Sequence, residues 1–372
     1  MARYLEYKPK KVLNVYKHCD GGWYWNRYSA NPYVGCEYGC EYCYYRARKY
    51  FRQDWEFYEV IKVKVNAPLL LSRELKRVER DIIMLGYYQP VEVKYGLIRK
   101  MLEICADLGF PVHMNEKSDL IPKDLDLLKE INEKSWACVT FSIISLREDL
   151  RFWEPKAPPP ERRLEAMKEI SRAGIKTGTA LIPALPFVYD DEENIEEVVK
   201  ETKQHGGSYV IGGGLTLGSP LTEHYLSLLR KFKPEAVGPT LRIFSGKSSS
   251  LSDTPSREHQ SELGRKVMEI CNKLGLDDRL KRPIHIYPKE LRTNKAVANY
   301  LFEKTYRLEI QNASQNKVWA YRKAAWTLDE LKEDVRKIYE EEGLQGLKVL
   351  PNVGSKIAGE IEVLLKNISP EE

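Results

Sequence analysis

The chain has 372 residues, of which 42% are hydrophobic and 30% are charged, and it carries a formal net charge of +5. This length predicts two or more domains, and the hydrophobic fraction is sufficient for a sizeable core. A mildly basic pI near 8.6 is compatible with a nucleic-acid partner but does not establish one. No apolar run is long enough to cross a bilayer, the first residues lack a signal-peptide core, and the seven cysteines form no disulfide framework. We therefore expect a cytoplasmic protein without a membrane partner.

Residues 1–30 form a basic, aromatic extension. Trp23, Tyr24, Trp25 and Tyr28 are grouped near its end. We expect these side chains to pack as a lid on the domain that follows, and base stacking is the alternative.

A cysteine motif comes next in the chain. Cys36, Cys40 and Cys43 lie at C-x3-C-x2-C spacing. Three thiolates on so short a loop can bind one iron–sulfur cluster, and a cubane of four irons would keep one iron free of protein ligands. A structural zinc site needs a closed set of four ligands, and the nearest histidine, His18, lies well upstream. The spacing therefore favours a cluster over zinc.

From residue 55 onward, short apolar strands alternate with helices of about a dozen residues. The predicted strands cover residues 55–65, 81–85, 110–114, 138–142, 176–182 and 208–211. The predicted helices cover residues 69–80, 94–108, 124–134, 161–173 and 192–205. This alternation predicts βαβ units and a parallel sheet of the α/β class. About six units would form a partial, TIM-like (βα)6 barrel with its chemistry at the C-terminal strand ends.

The cysteine spacing, with Tyr42 directly before the third cysteine, resembles the radical S-adenosylmethionine (radical SAM) superfamily. The longer pattern Asn31-Pro-Tyr-x-Gly-Cys-x-x-Gly-Cys-x-Tyr-Cys-Tyr is similar to its branch related to spore photoproduct lyase, the DNA repair photolyase group. Further matching positions, spread over roughly residues 11–230, are Tyr88-Gln-Pro-x-Glu92, Lys117-Ser-x-Leu-Ile121, Asp124-x-x-Leu-Leu128, Ser142, Glu154-Pro-x-Ala-Pro158 and Arg163-Leu164.

The resemblance implies two cofactors, a 4Fe-4S cluster on the three cysteines and S-adenosyl-L-methionine on the open iron. Reductive cleavage of S-adenosylmethionine would give a 5′-deoxyadenosyl radical, with electrons from a donor such as a ferredoxin or flavodoxin. The implied cofactor-binding residues are Tyr42, Lys117, Ser142, Gly213 and Thr216. A solvated lysine and a tight turn are the alternatives for Lys117 and Gly213, and a simple salt bridge is the favoured interpretation of Glu154 and Arg163.

One departure concerns the hydrogen donor. The lyase has a donor cysteine just before the region that matches residues 87–92, where this chain has Asp81-Ile-Ile-Met-Leu-Gly-Tyr-Tyr-Gln89 and no cysteine. Tyr87 and Tyr88 are the candidate catalytic relays, with aromatic packing as the alternative. Cys138, on a neighbouring predicted strand, is interpreted as a core residue.

Residues 222–292 are predicted to be mostly helical, except at 241–244 and 283–288. Within them, Ser245-Gly-Lys-Ser lacks the first glycine of a P-loop because residue 241 is Leu. We expect a polar surface loop there.

The end of the chain carries a second motif. Leu347-Lys-Val-Leu-Pro-Asn-Val-Gly-Ser-Lys-Ile-Ala358 is typical of a helix–hairpin–helix and follows a predicted helix at 329–342. Its turn needs residues that tolerate the left-handed conformation, which Asn352 and Gly354 provide. Such hairpins present backbone N–H groups to a phosphate, and a plain αα-hairpin without a ligand is the alternative.

Residues 293–372 resemble the small N-terminal domain of X-family DNA polymerases such as DNA polymerase beta, which grips a 5′-phosphate in gapped DNA. The resemblance rests on the hairpin and on Asn316-Lys-Val-Trp-Ala-Tyr-Arg-Lys-Ala-Ala325. The implied nucleic-acid-binding residues are Lys317, Tyr321, Lys348, Gly354 and Lys356. Glu360 occupies the position of the Schiff-base lysine in that family, and a carboxylate forms no imine, so we predict binding without lyase activity.

These patterns predict four regions, an extension at 1–30, a partial barrel at 31–230, a mostly helical extension or linker at 231–292 and a helix–hairpin–helix domain at 293–372. The favoured function is a radical SAM enzyme that repairs or modifies DNA. One alternative is a radical SAM enzyme that modifies tRNA or other RNA. The other is a nucleic-acid-binding protein with a structural or redox-sensing cluster.

Overall fold

The computed structural model describes residues 2–19, 21, 23–47, 58–245 and 252–367. The chain divides into two compact units. Unit 1 comprises residues 1–15 and 28–280, and unit 2 comprises residues 16–27 and 281–372. None of the helices in the described ranges has the length and apolarity that a bilayer crossing requires.

The described strands of unit 1 form two sheets. Their bounds are β1 Arg3–Tyr7, β2 Leu13–Val15, β3 Tyr28–Ala30, β4 Tyr33–Val34, β5 Val60–Lys64, β6 Ile83–Leu85, β7 Val112–Glu116, β8 Ala137–Ser142, β9 Lys176–Ala184 and β10 Val210–Gly214. The larger sheet has the order β10-β9-β8-β7-β6-β3-β2, and its strands are parallel except for β2 at one edge. Six consecutive parallel strands agree with the predicted (βα)6 arrangement.

Amphipathic helices connect the strands of unit 1. They are α1 Ala67–Leu75, α2 Pro90–Tyr95, α3 Leu97–Leu108, α4 Leu125–Lys134, α5 Pro160–Arg172, α6 Glu192–Gln204, α7 Leu221–Phe232, α8 Pro234–Phe244 and α9 Arg257–Leu274. In α3, Ile98, Met101, Leu102 and Cys105 recur at helical spacing and are fully buried in the core. Burial of each large apolar side chain in such a core stabilises the fold by about 1.5–3 kcal/mol.

The predicted strand at 55–65 belongs to a different sheet from the one expected. Its first residues, 55–57, lie outside the described ranges, and β5 pairs with β1 and β4 in a three-stranded sheet. The parallel sheet begins instead at β3, which pairs with β6. Only Ile61 and Val63 of β5 are buried, as in a sheet with one covered face, whereas five of the six residues of β8 are buried, as in a central parallel strand.

Residues 231–280 belong to unit 1, which fits the extension rather than the linker of the two predicted alternatives. The predicted non-helical stretch at 241–244 lies inside α8, and α9 packs against β10. Gly212 makes this contact close, because a Cβ atom there would lie 2.6 Å from Val267 Cγ2. Most of the predicted serine-rich loop, from residue 246 to 251, lies outside the described residues.

Unit 2 is helical. Its helices are α10 Lys289–Ile310, α11 Gln315–Glu330, α12 Val335–Lys348 and α13 Ser355–Asn367. The helix predicted at 329–342 is present, but its predicted start is wrong, because Asp329 lies near the end of α11 and α12 begins at Val335. Gly343, with φ 61° and ψ −149°, interrupts α12 before the hairpin.

Residues 16–27 belong to unit 2, and Trp25 is part of its core. Trp25 is 1% exposed, and its ring lies edge-on to Phe302 at 5.7 Å and under the Arg282 guanidinium at 5.2 Å. The Trp326 indole N–H donates to the Cys19 carbonyl. Trp25 therefore packs within the helical unit, which the predicted lid did not anticipate.

Candidate functional site

The cysteine loop follows β4 and ends in a 3-10 turn at residues 44–46. Cys36, Cys40 and Cys43 are all free thiols. Gly35 and Gly39 have positive φ values of 106° and 58°, which glycine adopts at no steric cost. These two residues let the chain turn twice within a few residues.

Hydrogen bonds from two side chains of unit 1, Gln89 and Arg46, fix the backbone of the loop. The fully buried Gln89 accepts a hydrogen bond from the Glu37 amide at 3.0 Å and donates one to the Gly35 carbonyl at 3.2 Å. Arg46 donates to the carbonyl groups of Gly39 and Cys40 at 2.9 and 3.1 Å. The loop is therefore held on either side of Cys36 and again at Cys40.

The three thiols fit a cluster. Burial raises the pKa of each thiol, that of Cys40 to about 12, and the neighbouring thiols raise it further at Cys36. A bound cation offsets this cost of deprotonation. In the described ranges, no group of three His, Cys, Asp or Glu side chains could hold a single metal ion. A cluster needs less convergence, because each thiolate binds a different iron.

A buried charged group adjoins the loop. The Glu154 carboxylate, 4% exposed, accepts hydrogen bonds from the Tyr42 hydroxyl, from the Arg163 guanidinium and, at 2.6 Å, from the Lys117 ammonium. Burial opposes ionisation of Glu154, but Lys117 and Arg163 outweigh burial and lower its pKa to about 2. Arg163 also donates to the Ser142 carbonyl at 2.9 Å. The expected salt bridge of Glu154 thus extends to the cysteine loop through Tyr42.

These contacts locate the loop above the sheet. Lys117 directly follows β7, Ser142 ends β8, and Tyr87 lies two residues after β6. Lys117 binds the Tyr42 hydroxyl at 2.9 Å, and Tyr87 donates a long hydrogen bond of 3.4 Å to the Gly35 carbonyl. The cysteine loop therefore lies at the C-terminal ends of the parallel strands, where the (βα) arrangement predicts the chemistry.

The remaining predicted cofactor residues lie after β8 and β10. Ser142 and Thr216 are half-buried, and neither hydroxyl has a hydrogen-bond partner among the described residues. Gly213 is buried within β10. The Lys117 ammonium is bound by Glu154 and Tyr42, so the interpretation of Lys117 as a solvated loop lysine is wrong.

The two candidate tyrosines occupy different environments. Tyr88 is 1% exposed, its hydroxyl donates to Asp124 at 2.5 Å, and its amide donates to Glu116. Tyr88 is thus packed in the interior, and its role as a hydrogen-atom relay stays a prediction. Tyr87 faces the loop, where its hydrogen bond to the Cys36 thiol partly offsets the rise in pKa of that thiol. Tyr87 remains a candidate hydrogen-atom relay.

Sequence reasoning missed the role of Gln89 and of Glu92. The Glu92 carboxylate accepts hydrogen bonds from the Tyr33 hydroxyl and from the amides of Ile98 and Arg99, at the start of α3. The helix predicted at 94–108 is in fact interrupted at Gly96, φ 59°, and this carboxylate satisfies the first free N–H groups after the break. The sequence signal for both residues is the Gln-Pro-x-Glu pattern, which contains Gln89 and Glu92.

In unit 2, the hairpin turn lies between α12 and α13. Asn352 has φ 62°, as predicted for a left-handed position, but Gly354 does not have a positive φ. A Cβ atom on Gly354 would meet nothing within 4 Å, so this glycine leaves open space at the start of α13. Val353, Ile357 and Ile361 are buried and pack the hairpin.

The predicted nucleic-acid residues divide into two groups. Lys317 and Lys356 are exposed and Lys348 is half-buried, and no described residue forms an ion pair with any of them. Tyr321 is 3% exposed, and its hydroxyl donates to Glu360 at 2.7 Å. Lys304 lies 3.6 Å from the same carboxylate. Tyr321 is thus an internal partner of Glu360, and its contact with nucleic acid stays a prediction.

Comparison with known proteins gives two family matches. A model of the Radical SAM superfamily matches residues 30–199, and a model of a helix-hairpin-helix domain matches residues 292–369.

Three relatives are uncharacterized proteins. Rv2578c of Mycobacterium tuberculosis (strain ATCC 25618 / H37Rv) is 28% identical over 221 residues, which cover 57% of this chain and 65% of that protein. MJ0683 of Methanocaldococcus jannaschii is 30% identical over 228 residues, covering 60% of this chain and 82% of that protein. ORF301 of Acidianus two-tailed virus is 27% identical over 291 residues, covering 72% of this chain and 87% of that protein.

Two similar solved structures are of spore photoproduct lyase. The lyase complexed with dinucleoside spore photoproduct has a TM-score of 0.55 at 16% identity, over 73% of this chain and 79% of that chain. A variant with bound AdoMet and dinucleoside spore photoproduct has a TM-score of 0.54 at 16% identity, over 72% and 78%. At 16% identity, this similarity shows a shared fold and nothing further. The chain belongs to the radical SAM superfamily and carries a helix-hairpin-helix domain near its C-terminal end.

Proposed function

We propose that this protein is a radical SAM enzyme that acts on DNA, to repair it or to modify it. The observation that carries the proposal is the group of three free thiols on one loop, at the C-terminal ends of the parallel strands and beside the charged group Lys117–Glu154–Arg163. The helix-hairpin-helix domain in the same chain supplies the link to DNA.

Members of the superfamily use a 4Fe-4S cluster and S-adenosylmethionine. In this chain Cys36, Cys40 and Cys43 would hold the cluster, and no fourth protein ligand is required. When bound, the cluster supplies the electron that cleaves S-adenosylmethionine to methionine and a 5′-deoxyadenosyl radical. The half-buried hydroxyls of Ser142 and Thr216 offer hydrogen bonds to a polar ligand.

The buried Glu154 group keeps the Lys117 ammonium and the Tyr42 ring in fixed positions next to the loop. Two cations around one carboxylate carry a net positive charge, which favours an anionic group such as the carboxylate of S-adenosylmethionine. We assign Lys117 to this role, with Arg163 as a positioning residue.

Unit 2 would supply affinity for the DNA backbone. Lys317, Lys348 and Lys356 are cations without an acidic partner in the described ranges, and Gly354 leaves open space at the N-terminus of α13. Such contacts bind phosphate without sequence information. A target base inside a duplex would have to be extruded before a radical could reach it. Glu360 provides no amine for an imine, so this unit would bind without lyase activity.

The first test is anaerobic reconstitution with iron and sulfide, followed by reduction with dithionite in the presence of S-adenosylmethionine. We expect the wild type to form 5′-deoxyadenosine, measured by chromatography, and Cys40→Ala to form none. Cys105→Ala, which removes a buried core thiol far from the motif in sequence, is the matched control and should retain activity. A cluster that forms without cleavage of S-adenosylmethionine would leave the alternative of a structural or redox-sensing cluster.

The second part of the test asks whether the hairpin lysines bind DNA and whether RNA is preferred. Replacement of Lys348 and Lys356 by alanine should weaken DNA binding and reduce the slope of log affinity against log salt by about one per lost phosphate contact. Lys366→Ala, at the other end of α13, is the control. Tighter binding of tRNA than of gapped DNA, with greater stimulation of 5′-deoxyadenosine formation, would favour the RNA-modifying alternative.

A further inference from the structure

Three aromatic side chains of unit 2 lie in a row, and we call them the aromatic ladder. Trp319 and Trp326 lie on α11 with ring centroids 6.1 Å apart, and His18 stacks on Trp326 at 4.3 Å with an interplanar angle of 12°. The inner rungs are fixed, because Trp326 also donates to the Cys19 carbonyl and His18 binds Glu330 at 2.7 Å. The ladder is a prearranged group of partly exposed rings, and Trp319 is its most exposed member.

Trp319, the outer rung, is 43% exposed. Burying an indole is strongly favourable, so an exposed indole beside fixed aromatic rings is a candidate contact surface for a ligand. The Arg322 guanidinium lies 5.3 Å from its ring centroid and is held by Glu309 at 2.5 Å. This cation–π contact orients the indole without burying it.

The charge around the ladder favours a polyanion. Lys323 lies one turn after Trp319 on the same face of α11 and is exposed, with no acidic partner among the described residues. Two acidic residues adjoin the ladder and both are paired: Glu330 is bound by His18 and by Arg27 at 3.2 Å, and Glu309 is bound by Arg322. An aromatic ring between cations is the combination that single-stranded nucleic acids bind.

The ladder adjoins the hairpin. Thr327, next to Trp326 in α11, accepts a hydrogen bond at 3.2 Å from the Asn352 side chain at the hairpin turn. The stacking surface and the phosphate-binding turn are therefore joined within one unit by a direct contact.

We propose that the aromatic ladder stacks on unpaired bases of a DNA strand while the hairpin binds the phosphates of the adjoining duplex. The substrate class is then DNA with a single-stranded segment next to a duplex, as in a gap or a tail, because bases inside a duplex already stack on each other. This inference rests on the DNA-binding part of the proposed function, and it needs no sequence preference since every base has a π face.

The test compares a blunt duplex with the same duplex carrying a short single-stranded tail that contains 2-aminopurine, at one fixed salt concentration. We expect the full-length protein to bind the tailed DNA more tightly and to quench the 2-aminopurine fluorescence. Trp319→Ala should weaken binding of the tailed DNA roughly 5- to 100-fold, the loss typical of one stacked base, and leave blunt-duplex binding within about 2-fold.

Three controls separate stacking from folding and from phosphate binding. Trp319→Phe keeps an aromatic face and should recover most of the affinity and the quenching. Val363→Ala, an exposed apolar residue of α13, should change neither. Lys356→Ala should weaken blunt and tailed DNA by the same factor.

The outcomes also separate this inference from the proposed function. Equal binding of blunt and tailed DNA by the wild type overturns the ladder proposal and leaves DNA binding by the hairpin intact. A Trp319→Ala variant that weakens both DNAs equally also overturns it. Tighter binding of an RNA tail than of the DNA tail overturns the choice of DNA, and no binding to any of these molecules contradicts both proposals.

Discussion

Gln89 is the residue through which the interior of unit 1 positions the cysteine loop. Its side-chain amide binds the two peptide groups that flank Cys36. The sequence showed the three cysteines directly, because ligand spacing is local. It showed Gln89 only as part of a matching pattern, because its partners lie 52 and 54 residues earlier in the chain. A side chain's long-range hydrogen bonds leave no periodic signal.

Replacement of Gln89 by alanine should weaken retention of the cluster. The change removes both hydrogen bonds and leaves two peptide groups near Cys36 without a partner, at a cost of about 1–3 kcal/mol each where they are buried. Groups that orient metal ligands typically change metal affinity 10–100-fold when removed. We expect the cluster absorbance to decay at least about 10-fold faster in the presence of a chelator.

Gln204→Ala, at the exposed end of α6, provides the matched control and should decay at the wild-type rate. Equal decay rates in Gln89→Ala and the wild type would show that the loop holds its shape without this side chain.

At the level of elements, helical periodicity predicted α3 to α6 to within a few residues at their C-terminal ends. The predictions were wrong where the position of an element depends on the strand it pairs with or the helix it packs against. Alternation in β5 identified a strand correctly but could not show that it pairs with β1. The sequence assigns Gly213 to a cofactor site or a tight turn, but it does not show that the neighbouring Gly212 is required by its contact with α9.

Gly212→Ala should destabilise unit 1. The new Cβ would lie 2.6 Å from Val267 Cγ2, and Val267 is 1% exposed, so neither element can move freely. Overpacking of this kind costs about 1–3 kcal/mol. Urea unfolding followed by hydrogen exchange of β10 and α9 peptides measures the loss.

Gly214→Ala is the matched control, because its Cβ would meet only ordinary contacts, the nearest being Pro255 Cγ at 3.6 Å. Adding Val267→Ala to Gly212→Ala should recover part of the stability, so the two changes should be less costly together than their sum. Additive losses would contradict a direct clash.

For the whole molecule, length predicted two or more domains, but it did not show that residues 16–27 belong with the C-terminal helices. The aromatic residues near 25 look continuous with the cysteine motif in sequence, yet they pack against α10 and α11. The centre of unit 2 is an ionic group in which Asp329 binds Arg282 at 2.5 Å and Lys295 at 3.0 Å. No local pattern reveals that these three residues meet.

This group predicts an acid-dependent stability of unit 2. Burial opposes ionisation of Asp329, but Arg282 and Lys295 outweigh burial and lower its pKa to about 2. The unfolded-state pKa is about 3.9, so the ionised carboxylate stabilises the fold fully above that pH, and this contribution is lost as the pH falls through about 2. We expect the free energy of unfolding of unit 2 to fall by about 1 kcal/mol from pH 5 to pH 3 through this group.

Asp329→Asn removes the titrating carboxylate, so its unfolding free energy should change less than the wild type's between pH 5 and pH 3. At pH 7 the variant should be less stable by about 3–5 kcal/mol, because two buried cations lose their partner. Hydrogen exchange of α10 and α11 peptides at each pH gives both values. A parallel decline in variant and wild type would assign the acid dependence to other groups.

The path of the chain through unit 2 has an evolutionary consequence. The helical unit takes one segment from between β2 and β3 and the rest from beyond residue 280, so the chain passes between the two units three times. A single gene fusion downstream of a barrel would supply the C-terminal helices but not Trp25 or Cys19, whose contacts complete them. Gain or loss of this unit therefore requires matched changes at two distant places in the gene.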